Sequence, residues 1–129
     1  NANYVMLDTE IEYPARPGEI LPLTRSPDSE LKFALNYERE KLFVQLTIEQ
    51  EDENIYRVAR NPEEDRYYGP SSLMDLSLSY KLQDKTRWYL EWKNIKNESF
   101  WDLYEGDPSR PTYYRHRPWR VHTGMRFEL

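Results

Sequence analysis

The chain contains the segment Met74-Asp75-Leu76-Ser77-Leu78-Ser79-Tyr80-Lys81-Leu82, in which apolar and polar side chains alternate at every position. Successive side chains of a β-strand point to opposite faces, so this segment predicts a strand with one apolar and one polar face. Four further segments alternate in the same way, over residues 31–37, 42–48, 87–93 and 119–129. Across all five, 21 of 22 positions on one face are apolar, against 3 of 19 on the other. A weaker sixth strand is predicted over residues 3–11.

The connections between these strands alternate between short and long. Residues 38–41 and 83–86 are polar and predict tight hairpin turns. The other connections, at about residues 12–30, 50–71 and 97–117, are long and hold most of the prolines. Loops of this length are uncommon in a compact domain unless they are functional. The sequence therefore predicts an all-β, antiparallel, up-and-down sheet with its short turns at one end and its long loops at the other.

Composition limits the classes of protein to which the chain can belong. A length of 129 residues predicts one domain or a piece of a larger one, and a net charge of -5 argues against nucleic-acid binding. With no cysteine and only His116 and His122, we expect no disulfide, no thiol catalysis and no metal site built on cysteine or histidine ligands. We also expect no cofactor. The chain starts with Asn1 and shows no signal peptide, so we expect a processed product or an excised fragment.

No group of residues in the sequence predicts catalysis. Ser71 and Ser72 have no nearby base, and His122 lies between strand residues without an obvious nucleophile. We therefore expect a protein that is not an enzyme. A hydrolase on a β-scaffold would need convergent carboxylates in a cleft, which only a structure can reveal.

Two architectures explain the two-faced strands. In a soluble β-sandwich, such as a secreted carbohydrate-binding module, the apolar face packs on a second sheet and buries Leu76, Leu78, Leu90 and Val121 in a core. In an outer-membrane β-barrel, the apolar face contacts lipid and the polar face lines the lumen. Short periplasmic turns, long extracellular loops and aromatic residues near strand ends favour the barrel. The aromatic residues concerned are Tyr37, Tyr80, Trp88 and Trp119. The residues expected to face the membrane are Leu31, Phe33, Leu35, Leu42, Val44, Leu46, Leu76, Leu78, Leu90, Val121 and Met125.

The last residues add a more specific signal. The segment His122-Thr123-Gly124-Met125-Arg126-Phe127-Glu128-Leu129 ends inside the last predicted strand. It resembles the C-terminal signal by which barrel proteins are delivered to the outer-membrane insertion machinery. Gly124, Phe127 and Leu129 carry this resemblance, with Leu129 at a position that is usually aromatic.

Over its whole length, the sequence resembles the C-terminal end of a TonB-dependent outer-membrane receptor. Residues 21–28 resemble the family's loop before a descending strand, and residues 75–82 resemble its strand before a periplasmic turn. Residues 92–98 are similar to its "N-L-x-N" element, with Ile95 in place of Leu. Three further segments resemble the closing strand of the family. They are Tyr113-Tyr114, Arg117-Pro118-Trp119-Arg120 and Gly124-Met125-Arg126-Phe127.

The resemblance implies that residues 1–129 supply the last six strands of a large barrel of about 22 strands with a plugged lumen. It implies nutrient import across the bacterial outer membrane with TonB-derived energy, for a siderophore, cobalamin, haem or glycan. The implied partners are the rest of the barrel, its plug domain, and the TonB complex through an N-terminal part that this sequence lacks. Lipid or lipopolysaccharide and a small-molecule or oligosaccharide substrate are also implied. A surface lipoprotein that caps the barrel is a further possible partner.

The long loops offer candidate ligand contacts. Their aromatic residues have flat apolar faces with polar tips, which suit sugars, aromatic chelates or porphyrins. Packing of the loops on one another is the competing interpretation. The candidates are Tyr56, Tyr67, Tyr68, Trp101, Tyr104, Tyr113 and Tyr114.

Charge is distributed unevenly along these loops. Acidic residues crowd residues 49–65, and arginines crowd residues 110–126 with no acid between Asp107 and Glu128. The acidic residues are either solvated or bind a divalent cation, and the arginines suit anionic substrates or lipopolysaccharide phosphates.

Overall fold

A computed structural model describes residues 1–128, apart from the side chains of residues 99–102. The described residues are all-β: they contain no α-helix, and a 3₁₀ turn covers Pro62–Glu64. Within them, no helix is long and apolar enough to span a membrane. The strands in chain order are β1 (Ala2–Met6), β2 (Ile11–Glu12), β3 (Ile20–Leu21), β4 (Ser29–Arg39), β5 (Leu42–Glu51), β6 (Asn54–Arg57), β7 (Arg66–Tyr68), β8 (Ser71–Gln83), β9 (Thr86–Lys93), β10 (Ser99–Glu105), β11 (Asp107–His116) and β12 (Arg120–Phe127).

The main sheet has six antiparallel strands in the order β1-β4-β5-β8-β9-β12, which is also their order along the chain. This up-and-down arrangement was predicted, and the five alternating segments all form strands. The two short connections are two-residue turns, at Glu40–Lys41 and at residues 84–85, and both lie at one end of the sheet. The predicted strand over residues 3–11 is too long, because pairing with β4 ends at Met6, opposite Ser29. The sheet is open, with β1 and β12 at its edges.

The register of the ladder brings all the apolar faces to one side. One row across five strands runs from Leu35 through Leu46, Leu76 and Trp92 to Val121. The next row contains Tyr37, Val44, Leu78, Leu90 and Thr123. Directly opposed residues of neighbouring strands project from the same face. The alternation seen in each separate segment is therefore one continuous apolar face, as the sequence indicates.

The long connections are not structureless loops, contrary to the sequence-based expectation. The second and third connections pair into a four-stranded antiparallel sheet in the order β11-β10-β7-β6, and the first forms the small β2-β3 ladder. We call these three connections together the loop assembly (residues 7–28, 52–70 and 94–119). The four-stranded sheet contacts the main sheet through β10 and β8. The sequence does not predict this sheet, because its strands do not alternate as the main strands do.

The core of the described chain lies in the loop assembly rather than against the main sheet. The buried hydrophobic residues are Ile55, Leu103 and Tyr104, and none of them belongs to the six main strands. On the apolar face, Leu35 is 56% exposed and Met125 is 58% exposed. The accessible surface is 9431 Å², whereas a globular monomer of 15.7 kDa exposes about 7,300 Å². The excess surface is that of a sheet with no second layer.

Candidate functional site

A buried ion pair holds the first two long connections together. Arg16 Nη2 donates to Asp65 Oδ2 at 2.6 Å, and the two residues are 8% and 2% exposed. The second carboxylate oxygen of Asp65 accepts a hydrogen bond from the Ala59 N–H at 2.7 Å. Glu19 lies 3.3 Å from Arg16 Nε at the more exposed side of the pair. Because a buried charge is costly unless it is paired and hydrogen-bonded, this contact fixes where the first connection lies.

The third connection is attached to the same point through its hairpin. The N–H of Gly106, between β10 and β11, donates to the Asp65 carbonyl at 2.7 Å. Gly106 has a φ of 69°, and a β-carbon there would lie 2.6 Å from the backbone oxygen of Glu63. Only glycine combines this backbone conformation with so close an approach. Asp65 therefore contacts all three long connections.

Four of the seven candidate aromatic residues pack inside the loop assembly. Tyr67 stacks on Tyr104 with ring centroids 5.5 Å apart, and Tyr56 meets Tyr68 at 5.0 Å. The Arg25 guanidinium lies 4.9 Å from the Tyr56 ring centroid, in a cation–π contact. Tyr104 is 6% exposed, so it is part of the core rather than of an accessible surface.

Burial also changes the acidity of two groups in this cluster. It raises the pKa of Tyr67, and the negative charge of Asp65 raises that pKa further. Burial likewise raises the pKa of Glu53, whose carboxylate accepts a hydrogen bond from the Tyr104 hydroxyl. Tyr67 is half-buried, whereas Glu53 lies at the exposed edge of the cluster, so only part of its carboxylate is shielded from water.

The remaining candidates lie on the outer hairpin. Tyr113 and Tyr114 on β11 are 51% and 62% exposed, and the Tyr114 ring is stacked with His116 at 6.2 Å. β11 is the edge strand of its sheet, and every one of its residues is exposed. The side chain of Trp101 lies outside the described part of the chain. The sequence does not predict this position for His116, since a lone histidine gives no pattern that would identify it.

The polar face of the main sheet contains a hollow of about 540 Å³ that extends over β5, β8, β9 and β12. Among its lining residues, Arg87, Lys93, Arg120 and Arg126 are cationic and Glu91 is acidic. The hollow lies on the face opposite the exposed apolar rows. The main sheet therefore presents an open apolar face on one side and a charged concavity on the other.

A turn motif lies beside this hollow, at the loop end of the main sheet. Asn94 has a φ of 51°, its N–H donates to Asp75 Oδ1 at 2.9 Å, and Lys93 Nζ bonds the other oxygen of Asp75 at 3.0 Å. The Asn94 amide group donates to the backbone oxygens of Glu98 and Arg117 at 2.7 and 2.6 Å. Asparagine tolerates left-handed backbone conformations better than most residues. Asn94 therefore binds both ends of the third connection where it leaves and rejoins the main sheet.

The three residues proposed as a C-terminal signal have different placements. Gly124 is packed under the ring of Tyr89, Phe127 is 67% exposed at the end of β12, and Leu129 lies outside the described residues. The residues expected to face a membrane all lie on the apolar face, on β4, β5, β8, β9 and β12. Over residues 1–128, no group of three or more histidine, aspartate or glutamate side chains is arranged to hold a metal ion.

Comparison with known proteins adds nothing to these observations. No protein-family model, no curated protein and no solved structure matches the chain.

Proposed function

We propose that this chain is part of the wall and outer mouth of a large outer-membrane β-barrel, a nutrient transporter of the TonB-dependent receptor class. One observation carries the proposal: a six-stranded up-and-down sheet exposes a continuous apolar face and has a charged hollow on the opposite face. Such a sheet in water would expose far more apolar surface than a monomeric soluble protein tolerates. Acyl chains on one side and a polar lumen on the other satisfy both faces.

The distribution of apolar contacts argues against the β-sandwich alternative. A binding module would bury Leu76, Leu78, Leu90 and Val121 in its own core. Val121 is 43% exposed, and the three leucines are only half-buried, by their neighbours within the sheet. The four-stranded sheet of the loop assembly leaves these positions uncovered, so it is not the second layer of a sandwich.

Aromatic placement supports a membrane interface. Tyr80 lies opposite Trp88 on neighbouring strands, and Tyr37 lies two residues from the same short-turn end of the sheet. Trp119 precedes β12 at the loop end and is 55% exposed. Amphipathic rings settle at the boundary between acyl chains and water, so aromatic residues near both ends of the strands suit a transmembrane wall.

The loop assembly supports a receptor role at one mouth of the barrel. All three long connections leave the same end of the main sheet and are held together at Asp65. An ordered surface with the exposed Tyr113 and Tyr114 can bind a ligand without first ordering a flexible loop, which would cost affinity. Transport rather than chemistry is the role proposed for this surface, and the family assignment itself comes from the sequence resemblance.

Single cysteines on adjacent residues test the proposal, because the chain has no native cysteine. Leu78→Cys and Ser79→Cys place a polarity-sensitive dye on opposite faces of β8 in the membrane-inserted protein. We expect a lipid-like emission and quenching by brominated lipids at position 78, and a water-like emission without quenching at position 79. Equal emission at both positions, or a protein that is monodisperse in water without detergent, would contradict the barrel.

A further inference from the structure

A single cation lies on the apolar face of the main sheet. Arg39 is opposite Leu42 at the end of β4, and the same row continues through Tyr80, Trp88 and Met125 on β8, β9 and β12. Directly opposed residues project from the same face. Over the described length of the six main strands, every other charged residue lies on the polar face. Arg39 is therefore a positive charge at the short-turn edge of a surface that is otherwise uncharged.

The described chain does not neutralise this cation. Arg39 is exposed and forms no ion pair with any residue whose side chain the structure describes, and the same holds for Lys41 in the adjoining turn. Glu40 lies between them in the sequence and pairs with neither. A charge beside acyl chains is costly unless it reaches water or a counter-ion, and a long side chain at a strand end reaches the headgroup layer. In a membrane, the counter-ion at that depth is a lipid headgroup.

A pocket of about 210 Å³ lies around Arg39 at this end of the sheet. It combines two cations, one carboxylate, two phenol groups and an apolar side chain. Its lining residues are Tyr37, Arg39, Glu40, Lys41, Leu42 and Tyr80. The two cations and the carboxylate leave one net positive charge, and both phenol rings are exposed to the space in front of the sheet.

The composition of this pocket fits the phosphodiester of a phospholipid. A phosphodiester carries one negative charge, which matches the net charge of the pocket, and a guanidinium binds two phosphate oxygens at once. The apolar row of Val44 and Leu78 lies next to the pocket along the strands, where acyl chains attached to the phosphate can lie. Short turns of bacterial barrels lie on the periplasmic side. Lipopolysaccharide occupies the opposite leaflet and would therefore meet the loop end instead.

We propose that Arg39 and Lys41, with the rings of Tyr37 and Tyr80, form a binding site for the phosphodiester headgroup of a phospholipid in the periplasmic leaflet. The inference rests on the proposed function, because only a membrane-inserted barrel presents this face to lipid. Arg39 binds two phosphate oxygens, and Lys41 adds a second positive charge from the turn. The tyrosine rings flank the glycerol ester region, where amphipathic rings settle.

Native mass spectrometry of the full-length protein tests this proposal. The protein is isolated from outer membranes in detergent, stripped of lipid and titrated with phosphatidylglycerol. We expect Arg39→Gln to weaken the tightest lipid binding about tenfold, because it removes a charge-assisted contact. Arg39→Lys keeps the charge without the planar fork and should recover part of the affinity. Arg87→Gln is the matched control: Arg87 lies near the same end of the sheet but on the polar face, so lipid binding should be unchanged.

A second variant keeps the test independent of the stability of β4. Lys41 lies in an exposed turn, so Lys41→Gln should fold as the native protein does and should weaken lipid binding about fivefold. Equal lipid affinity in the native protein, Arg39→Gln and Lys41→Gln would overturn the proposal. An equal loss in Arg87→Gln would also overturn it, because the attraction would then be general rather than local to this pocket.

Competition identifies the source of the phosphate. We expect neither inorganic phosphate nor lipopolysaccharide, at the concentration of the phospholipid, to displace phosphatidylglycerol. Displacement by either one would show a site for a free ion or for the lipid of the other leaflet, and the proposal would be wrong. If the dye measurements at positions 78 and 79 support the barrel while Arg39→Gln keeps its lipid affinity, only the lipid site fails. If those measurements show no membrane insertion, both proposals fail.

Discussion

Gly124 on β12 lies directly opposite Tyr89 on β9, and the Tyr89 ring occupies the space where a side chain at position 124 would begin. A β-carbon on Gly124 would lie 2.7 Å from the Tyr89 hydroxyl oxygen and 3.0 Å from Cζ. Tyr89 is one of the few apolar residues on the polar face, and it packs there by covering the glycine. This contact gives Gly124 a structural role besides any role in an insertion signal.

We expect Gly124→Ala to destabilise the sheet by about 1–3 kcal/mol, because the added methyl group forces the Tyr89 ring out of its position. The measurement is the free energy of unfolding, obtained by denaturant titration of each variant. Adding Tyr89→Ala removes the ring that the methyl group would meet. The loss of stability in the double variant should therefore be smaller than the sum of the losses in the two single variants. If the losses add to within about 0.5 kcal/mol, the contact between Tyr89 and position 124 is contradicted.

The buried pair between Arg16 and Asp65 gives a second prediction. Arg16→Ala leaves the Asp65 carboxylate buried without its partner, so we expect the loop assembly to lose about 3–5 kcal/mol of local stability. Glu19→Gln is the control, since Glu19 is exposed and its loss should cost at most about 1 kcal/mol.

Hydrogen exchange provides the measurement for both variants. The Ala59 amide, which donates to Asp65, and the Gly106 amide should exchange much faster in Arg16→Ala while amides of β5 and β8 keep their protection. Uniform loss of protection across the main sheet would show that the pair supports the whole chain rather than the loop assembly.

Asn94 allows backbone and side-chain effects to be separated. Asn94→Gly keeps the left-handed backbone conformation accessible but removes the side-chain hydrogen bonds to Glu98 and Arg117. Asn94→Ala removes these hydrogen bonds and also disfavours the left-handed conformation. We expect Asn94→Gly to cost about 1–3 kcal/mol for the hydrogen bonds, with a further ~1 kcal/mol in Asn94→Ala for the backbone. Thermal unfolding of the two variants measures the difference. Equal stability would mean that the left-handed conformation at this position contributes nothing.

Much of the main sheet could be predicted from the sequence, because period-two alternation is a local signal that specifies both strand and face. Residues 42–48 are one example, and the structure extends that strand to Glu51 because backbone pairing with Ser71 continues past the last apolar residue. The two hairpins could be predicted because the composition of a tight turn is also a local signal: the connecting residues are few and polar. The extent of β1 could not, since it depends on how far β4 offers a partner.

The loop assembly could not be predicted, because non-local contacts build it. Pro108 and Pro111 argue against a strand, yet both lie in β11, which tolerates them as an edge strand. Nothing in the sequence pairs Arg16 with Asp65, which are 49 residues apart. The sequence therefore predicts which residues lie on each face of the main sheet. It does not predict how the tyrosines of the loop assembly pack, because that packing depends on contacts between distant parts of the chain.

The raised pKa of Glu53 predicts a pH dependence of the loop assembly. Because partial burial raises the pKa of this mostly exposed carboxyl above its ordinary 4.5, the folded state binds the proton somewhat more tightly than the unfolded chain does, and the effect on stability is small. Stability is then highest below the ordinary value and falls as pH rises through the raised pKa. Glu53→Gln cannot ionise, so it should remove this dependence, whereas Glu10→Gln should retain it. Exchange rates of the Leu103 and Tyr104 amides, corrected for the intrinsic effect of pH, measure it. A slope unchanged in Glu53→Gln would contradict the assignment.

Ligand contact is expected on the outer hairpin rather than in the tyrosine cluster. Tyr113 and Tyr114 are exposed, whereas Tyr104 is buried and stacked on Tyr67. Replacing Trp101, Tyr113 and Tyr114 together by alanine should lower substrate affinity about tenfold or more, since the loss of one important contact costs more than about 1 kcal/mol and about 1.4 kcal/mol corresponds to tenfold. Under the proposed transport function, uptake by cells that express the variant provides the measurement. Protease resistance of the loop assembly shows whether the variant still folds. Tyr104→Ala is the contrasting variant: it should lose protease resistance, and any loss of uptake should follow from unfolding. Unchanged uptake in the folded triple variant would exclude this hairpin as the ligand site.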